Sequence, residues 1–305
     1  MIKVFGHTSP DTDATLSAIA WAWYLTEVRG TPATPFVLGT PNTEAAFLLG
    51  HWGLDAPALL GEIAAGDRVV IVDTNNPAEL PASIDAAEIM EIVDHHRLVG
   101  GLKTAAPITV TIRPLACTAT ILHDRMGTDL ARAPRAIRGA MLSAILSDTL
   151  AFRSPTTTPH DRAVAEALAA DLGVAIPDLA DAMFAAKSDV SAFSDAALLR
   201  MDSKEHEVAG RRLRVSVLET TAPRVLLDRK AGLMAAMPGV AAEDGADEVL
   251  LFIVDILNEE ATLLVPNGVV KAIAEASFPC TVAGDTVVLP GVMSRKKQII
   301  PALTL

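Results

Sequence analysis

Short apolar runs alternate with stretches of helical spacing through the first part of the chain. IKVF at residues 2–5 is β-branched and aromatic, and after a polar loop residues 15–27 carry apolar side chains at the three-to-four interval of an amphipathic helix. Further apolar runs follow at residues 35–38, 68–72 and 89–93, with a helical segment at 44–49 between the first two. This alternation predicts a parallel α/β sheet flanked by helices. Two of the runs end directly in ionisable residues, VVIVDTNN at Asp73 and MEIVDHH at Asp94. In open α/β sheets the ligand crevice lies beyond the carboxyl ends of the strands, so the pattern allows these residues to meet.

Residues 117–148 continue in a helical pattern, and 163–172 and 177–186 give two more helices. KSDVSAFSD at 187–195 then breaks the periodicity with Ser and Asp and reads as a linker. Beyond it, strands at 213–218, 248–255 and 261–265 alternate with helical stretches at 224–234 and 269–275. The expected organisation is a domain over 1–186, the linker at 187–195 and a smaller α/β domain over 196–305, which a length of 305 residues accommodates.

Composition narrows the function classes. Half the residues are apolar, yet no uninterrupted apolar stretch reaches membrane-spanning length. The opening MIKVFGH lacks the features of a secretory signal, so the expectation is a soluble protein of the cytoplasm. Only Cys117 and Cys280 are present, far apart among small or apolar neighbours; this opposes a disulfide framework and makes both core residues. A net charge of −12, from 37 acidic against 25 basic side chains, opposes a general nucleic-acid binder. A small anion held by metal ions and a few local cations remains compatible with it.

The candidate chemistry lies in the loops. His7, Asp11 and Asp13 form H-x3-D-x-D directly after the first strand. Clustered carboxylates repel one another unless a cation or proton offsets them, and mixed imidazole and carboxylate donors suit manganese, cobalt or zinc better than calcium. Asp11 or Asp13 alone would serve equally as a helix cap. Asp73 and Asp94 alone would be strand-end turn residues, and Asp148 in SDT a helix-end residue. His95 and His96 can divide metal binding and proton transfer between them. Together these residues predict a metal site at the element ends of one α/β domain.

GHTSPDTDA, IVDTNN, IVDHHR and LSDTLAFRSPTTTPHD resemble the four motifs of the DHH phosphoesterase superfamily in the form found in family II inorganic pyrophosphatases. MDSKEH and GVMSRKKQ are similar to that family's substrate-binding segments, so the likeness spans almost the whole chain. It implies an N-terminal DHH domain with a parallel sheet, a smaller DHHA2-like domain with a mixed sheet, and an active site in the cleft between them. It also implies hydrolysis of pyrophosphate to two phosphates by a hydroxide bridging two manganese or cobalt ions, with magnesium arriving on the substrate. His7, Asp11 and Asp73 would hold one metal, and Asp13, Asp73, His95 and Asp148 the other, with Asp73 as the bridge. His96, Lys204, Arg295 and Lys296 would bind the phosphates, and Asp94 would orient its neighbours. A homodimer through the N-terminal domain is implied as well. One departure concerns metal preference and affinity: the family pattern usually continues from the bridging Asp into His-Asn-Glu or His-Asn-Gln, where this chain has Thr74, Asn75 and Asn76.

By composition SRKKQ is a solvated basic tail, but the apolar IIPALTL after it argues against that. Movement about residues 187–195 would bring its cations to the metals and exclude water. Two other function classes compete: a DHH phosphodiesterase or exopolyphosphatase, against which SRKKQ speaks, and a non-catalytic metal- or nucleotide-sensing module, against which the intact ligand set speaks. His51, His123, His160 and His206 read as packing, surface or helix-start residues, and Trp21, Trp23 and Tyr24 as core or subunit interface.

Overall fold

The computed structural model describes residues 1–304, which divide into two compact units, Met1–Lys187 and Ser188–Leu305. In chain order the first holds β1 (Ile2–Phe5), α1 (Thr12–Trp23), β2 (Ala33–Val37), α2 (Thr43–Trp52), β3 (Ala58–Leu59) and β4 (Arg68–Val72). Then come β5 (Glu88–Asp94), β6 (Thr109–Ile112), α3 (Thr118–Met126), α4 (Arg135–Asp148), α5 (Pro159–Leu172) and α6 (Ile176–Lys187). The strands form one parallel sheet in the order β3-β2-β1-β4-β5-β6.

Alternation of side chains across the strands divides the apolar residues between two cores. Val4, Val70, Val72 and Val93 pack with Leu16 and Trp21 of α1 and with Met141, Leu142 and Leu146 of α4. Phe5, Val69, Ile71 and Ile92 turn to the other face, with Ile63 and Ile84. Burial on both faces is why β4 reads as an unbroken VVIV rather than alternating with polar residues.

Helix α1 starts three residues before the apolar spacing begins. Asp11 caps it, its Oδ1 accepting from the Ala14 amide at 3.0 Å, and the helix closes through a π-helical turn at Tyr24–Val28. The turn into α1 is tight: a Cβ on Gly6 would stand 2.7 Å from Ala14 Cβ, so only glycine fits without displacement. The pattern at 117–148, expected as helical throughout, is broken by a 3₁₀ turn at Gly127–Arg132 and by Pro134, which leave α3 and α4 as separate helices.

The second unit contains α7 (Asp195–Met201), β7 (Ser203–Val208), β8 (Arg211–Thr220), α8 (Pro223–Leu227), α9 (Lys230–Asp244) and β9 (Glu248–Asp255). It continues with β10 (Glu260–Leu264), α10 (Gly268–Ser277) and β11 (Thr286–Pro290). Its sheet runs β11-β10-β9-β8-β7, parallel only between β8 and β9. Val217, Phe252 and Val254 pack towards Val270 and Ile273 of α10, while Leu218, Leu251 and Ile253 pack towards Leu233 and Met237 of α9. SRKKQ is an ordered π-helical turn, Arg295–Ile299, capped by Ser294 and anchored by the buried Ile299.

Candidate metal centre

In the first sheet the chain passes from β1 outward through β2 and β3, then resumes beside β1 with β4 and runs outward the other way. The crevice at such a reversal is where open α/β sheets bind ligands. His7 follows β1 by way of Gly6, Asp73 follows β4 directly, and His95 and His96 follow β5. Asp13 stands in the first turn of α1, and Asp148 is the last residue of α4. An opening of about 410 Å³ is lined by Asp11, Asp73, His95, His96, Arg97 and Asp148, among others.

Asp73 occupies the middle. Its φ of +61° lies in the left-handed region, uncommon for a residue with a Cβ and a form of strain that recurs at functional sites. The two carboxylate oxygens face different imidazoles: Oδ2 lies 3.5 Å from His7 Nε2 and Oδ1 3.3 Å from His95 Nε2. His7 Nε2 is also 3.6 Å from Asp11 Oδ1, and His95 Nε2 is 4.0 Å from Asp148 Oδ2. The other ring nitrogens face main-chain carbonyls, His7 Nδ1 that of Thr8 at 3.1 Å and His95 Nδ1 that of Leu115 at 3.2 Å. Such contacts put the proton of the neutral ring on Nδ1 and direct the Nε2 lone pair into the crevice.

The supporting contacts are dense. Asp13 is fully buried and accepts from Ser17 Oγ at 2.6 Å and from the first amides of α3, Thr118 at 2.6 Å and Ala119 at 3.2 Å. Thr118 Oγ1 donates to Asp73 Oδ1 at 3.0 Å. Asp94 is fully buried and accepts from the His95 and His96 amides, from His96 Nδ1 at 2.9 Å and from Asn75 Nδ2 at 2.5 Å. Asn75 Oδ1 accepts from the Val99 amide at 2.7 Å, so this side chain fixes the DHH turn to the loop after it. Thr74, also buried, donates to Glu79 Oε2 at 2.7 Å.

Charge is heavily concentrated here. Burial, with Asp73 next, lifts Asp13 to about 7, and burial, with Asp13 and Asp73, lifts Asp148 well above the carboxylate range. Burial also opposes charge on Asp73, but hydrogen bonds from His7 and His95 outweigh it and hold that carboxyl below its ordinary value. The imidazoles respond in turn: burial favours their neutral forms, yet contacts to Asp11 and Asp73 raise His7 to about 11, and Asp73 raises His95 to about 9. Without a cation, the site balances its carboxylates by taking up protons. Asp148 Oδ2 is buried without a hydrogen-bond partner. Two sets of potential donors, His7–Asp11–Asp73 and Asp73–His95–His96, share Asp73, and a third joins Asp13, Cys117 and Asp148. These donors and the orphaned oxygen suit a transition-metal ion.

Thus His7, Asp11, Asp13, Asp73, His95, His96 and Asp148 converge in the first unit, while Lys204, Arg295 and Lys296 lie in the second. Lys204 stands on β7, and Arg295 Nη1 reaches the Asp202 main-chain carbonyl at 2.8 Å and its carboxylate at 2.7 Å. His206 is partly buried there, with burial, Arg295 and Lys204 all lowering its pKa. Cys117 belongs to the core, as expected, but its sulfur also faces the carboxylates of Asp13 and Asp148. Sequence reasoning missed Thr118 and its amide. The only trace was a threonine opening a helical stretch, and nothing local ties it to Asp13 or Asp73.

Residues 1–147 match the N-terminal domain of the DHH family, and residues 181–305 match the DHHA2 domain. A protein assigned as a manganese-dependent inorganic pyrophosphatase in Deinococcus radiodurans is 42% identical over 99% of this chain and 98% of its own length. One so assigned in Lactobacillus acidophilus is 37% identical over 99% and 97%. Among solved structures, a family II inorganic pyrophosphatase assigned in Methanococcus jannaschii superposes with a TM-score of 0.61 at 31% identity, covering 99% of this chain and 98% of the other.

Proposed function

This chain belongs to the family II, manganese-dependent inorganic pyrophosphatases built from DHH and DHHA2 domains, and on that premise we propose that it hydrolyses inorganic pyrophosphate to two phosphates. The observation that carries the proposal is the buried Asp73 carboxylate, whose two oxygens face two separate imidazoles in the crevice where the strand order reverses. A carboxylate so placed is suited to bridge two cations.

His7, Asp11 and Asp73 would hold one metal, and Asp13, Asp73, His95 and Asp148 the second. Manganese is the metal named for the relatives, cobalt is the other transition metal the donors would accept, and magnesium would enter with the substrate. Bound there, the metals would supply Lewis acidity that lowers the pKa of water and offsets phosphoryl charge.

The chain's own groups do the remaining work. His7 and His95 present Nε2, and the carbonyls of Thr8 and Leu115 hold their rings in that orientation. Asp94 holds His96 Nδ1 and raises the pKa of that ring, leaving Nε2 to meet a phosphate oxygen and deliver a proton to it. Lys204 and Lys296 bind phosphate as point charges, and the planar fork of Arg295 offsets the charge that grows on the leaving phosphate. Cytoplasmic location and a homodimer complete the proposal.

The test is phosphate release by metal-stripped protein reloaded with Mn²⁺, on pyrophosphate beside tripolyphosphate and a dinucleotide. Release from pyrophosphate in preference to the other two is expected. Preference for tripolyphosphate or the dinucleotide would move the chain to the phosphodiesterase or exopolyphosphatase class, and no release with any divalent metal would leave a sensing module.

A further inference from the structure

Glu44, in the first turn of α2, lies outside the metal crevice, yet it is fully buried. Its Oε2 accepts from Thr12 Oγ1 at 2.8 Å and Ser147 Oγ at 2.6 Å, and Lys187 Nζ lies 3.4 Å away. Its Oε1 is buried with no hydrogen-bond partner. Thr12 stands between Asp11 and Asp13, and Ser147 immediately precedes Asp148. One buried carboxylate oxygen therefore joins the residues next to three of the four crevice carboxylates, across two helix ends that nothing adjacent in sequence connects.

We propose that Glu44 is a positioning residue that ties the start of α1 to the end of α4 and so holds Asp11, Asp13 and Asp148 at metal-binding separation. Both hydroxyls meet the same Oε2, so the spacing of these two helix ends is fixed from behind the crevice. A buried carboxylate is costly to keep where an apolar side chain would fill the space, and its partners here are two hydroxyls whose neighbours are ligands. Lys187, the last residue of α6, offsets the charge from the edge of the unit.

The inference rests on the proposed metal site, and its test separates the two. Mn²⁺ dissociation constants are measured by equilibrium dialysis on metal-stripped full-length chain, for wild type, Glu44→Ala, Glu44→Gln, Ser147→Ala and Asp73→Asn. Glu44→Ala is expected to weaken Mn²⁺ binding by about ten- to a hundredfold, the range for losing a group that orients ligands. Glu44→Gln removes the charge but keeps an oxygen for both hydroxyls, and should restore most of the affinity. Ser147→Ala should weaken binding on its own and add little in the Glu44→Ala background, as members of one network do.

Unchanged affinity in Glu44→Ala, with only a lower melting temperature, overturns the tie. Equal loss in Gln and Ala variants overturns it too, because charge and not the hydroxyl contacts would then be at work. If Glu44→Ala does not fold, Thr12→Val and Ser147→Ala carry the test, and wild-type affinity in both refutes the inference. No Mn²⁺ binding by the wild type, or wild-type affinity in Asp73→Asn, refutes the metal site itself and the tie with it.

Discussion

Asp73→Asn is the most searching substitution, because it keeps the volume of the side chain and changes its charge and one donor atom. In the native protein both oxygens can face a cation, since one lies 3.5 Å from His7 Nε2 and the other 3.3 Å from His95 Nε2. The amide retains a single acceptor, and its NH₂ group points at an imidazole or at a metal. One unit charge acting on another at about 4 Å in a medium of effective dielectric about 20 contributes about 4 kcal/mol. At about 1.4 kcal/mol per decade, a loss of that size weakens Mn²⁺ binding by about a thousandfold. Hydrolysis should fall below detection at Mn²⁺ concentrations that saturate the wild type. Calorimetric titration of metal-stripped protein with Mn²⁺ measures the first quantity and phosphate release the second. Binding within tenfold of wild type would refute the central place given to Asp73.

Three further outcomes are expected. Arg295→Ala should slow turnover by about a hundred- to a thousandfold, as loss of one group stabilising developing charge does, with Mn²⁺ affinity unchanged by dialysis; equal metal loss in this variant and Asp73→Asn would contradict the division of roles. In the metal-free chain His95 is raised to about 9 and His7 to about 11, so the stability each contributes is complete below the ordinary imidazole value of about 6.5 and is lost as pH rises through the folded values. Asp13, raised to about 7, works in the same direction over the lower range between its ordinary value and about 7. Melting curves in chelator should therefore shift to lower temperature as pH climbs from about 7 to about 10, while Mn²⁺ binding strengthens and releases protons; a melting temperature that does not fall speaks against the charge balance described. Gly6→Ala should destabilise the first unit by about 1–3 kcal/mol, because its methyl would meet Ala14 Cβ at 2.7 Å and Ala14 Cα at 3.0 Å; denaturant unfolding indistinguishable from wild type would show that the β1–α1 turn can give.

Legibility in the sequence tracks how local each signal is. Strands β1, β4 and β5 stood out because burial on both faces demands mostly apolar runs, unbroken in VVIV of β4 and interrupted only by Lys3 in β1 and Glu91 in β5, that lead into the residues of the crevice. Strand β7 did not: SKEHEV lies at a sheet edge with several side chains exposed and offers no apolar run, although it carries Lys204. The division of 117–148 into two helices was written in Gly127 and Pro134, which the surrounding apolar spacing concealed. In the crevice, the groups that could face a metal were readable as H-x3-D-x-D, VD and DHH, because strand ends collect them. The contacts behind them were not: the Thr118 hydroxyl on Asp73 and the α3 amides on Asp13 join residues that only tertiary packing makes neighbours. Thr74 and Asn75 lie between these cases. Their departure from the family pattern is visible in sequence, but their links to Glu79, Asp94 and Val99 emerge only in three dimensions.

The strand order β3-β2-β1-β4-β5-β6 also bears on how the protein is made. The crevice lies where the first three strands of this sheet meet the last three, and its acidic groups are drawn from the loop after β1 through to the end of α4. No fragment ending before α4 can present Asp148, and β1 must wait for β4 before His7 and Asp73 are neighbours. Contacts of such long sequence separation form late and slowly. The full set of acidic groups is thus assembled only as a closing step of this unit's folding, when α4 joins a sheet that already carries β1 and β4 side by side.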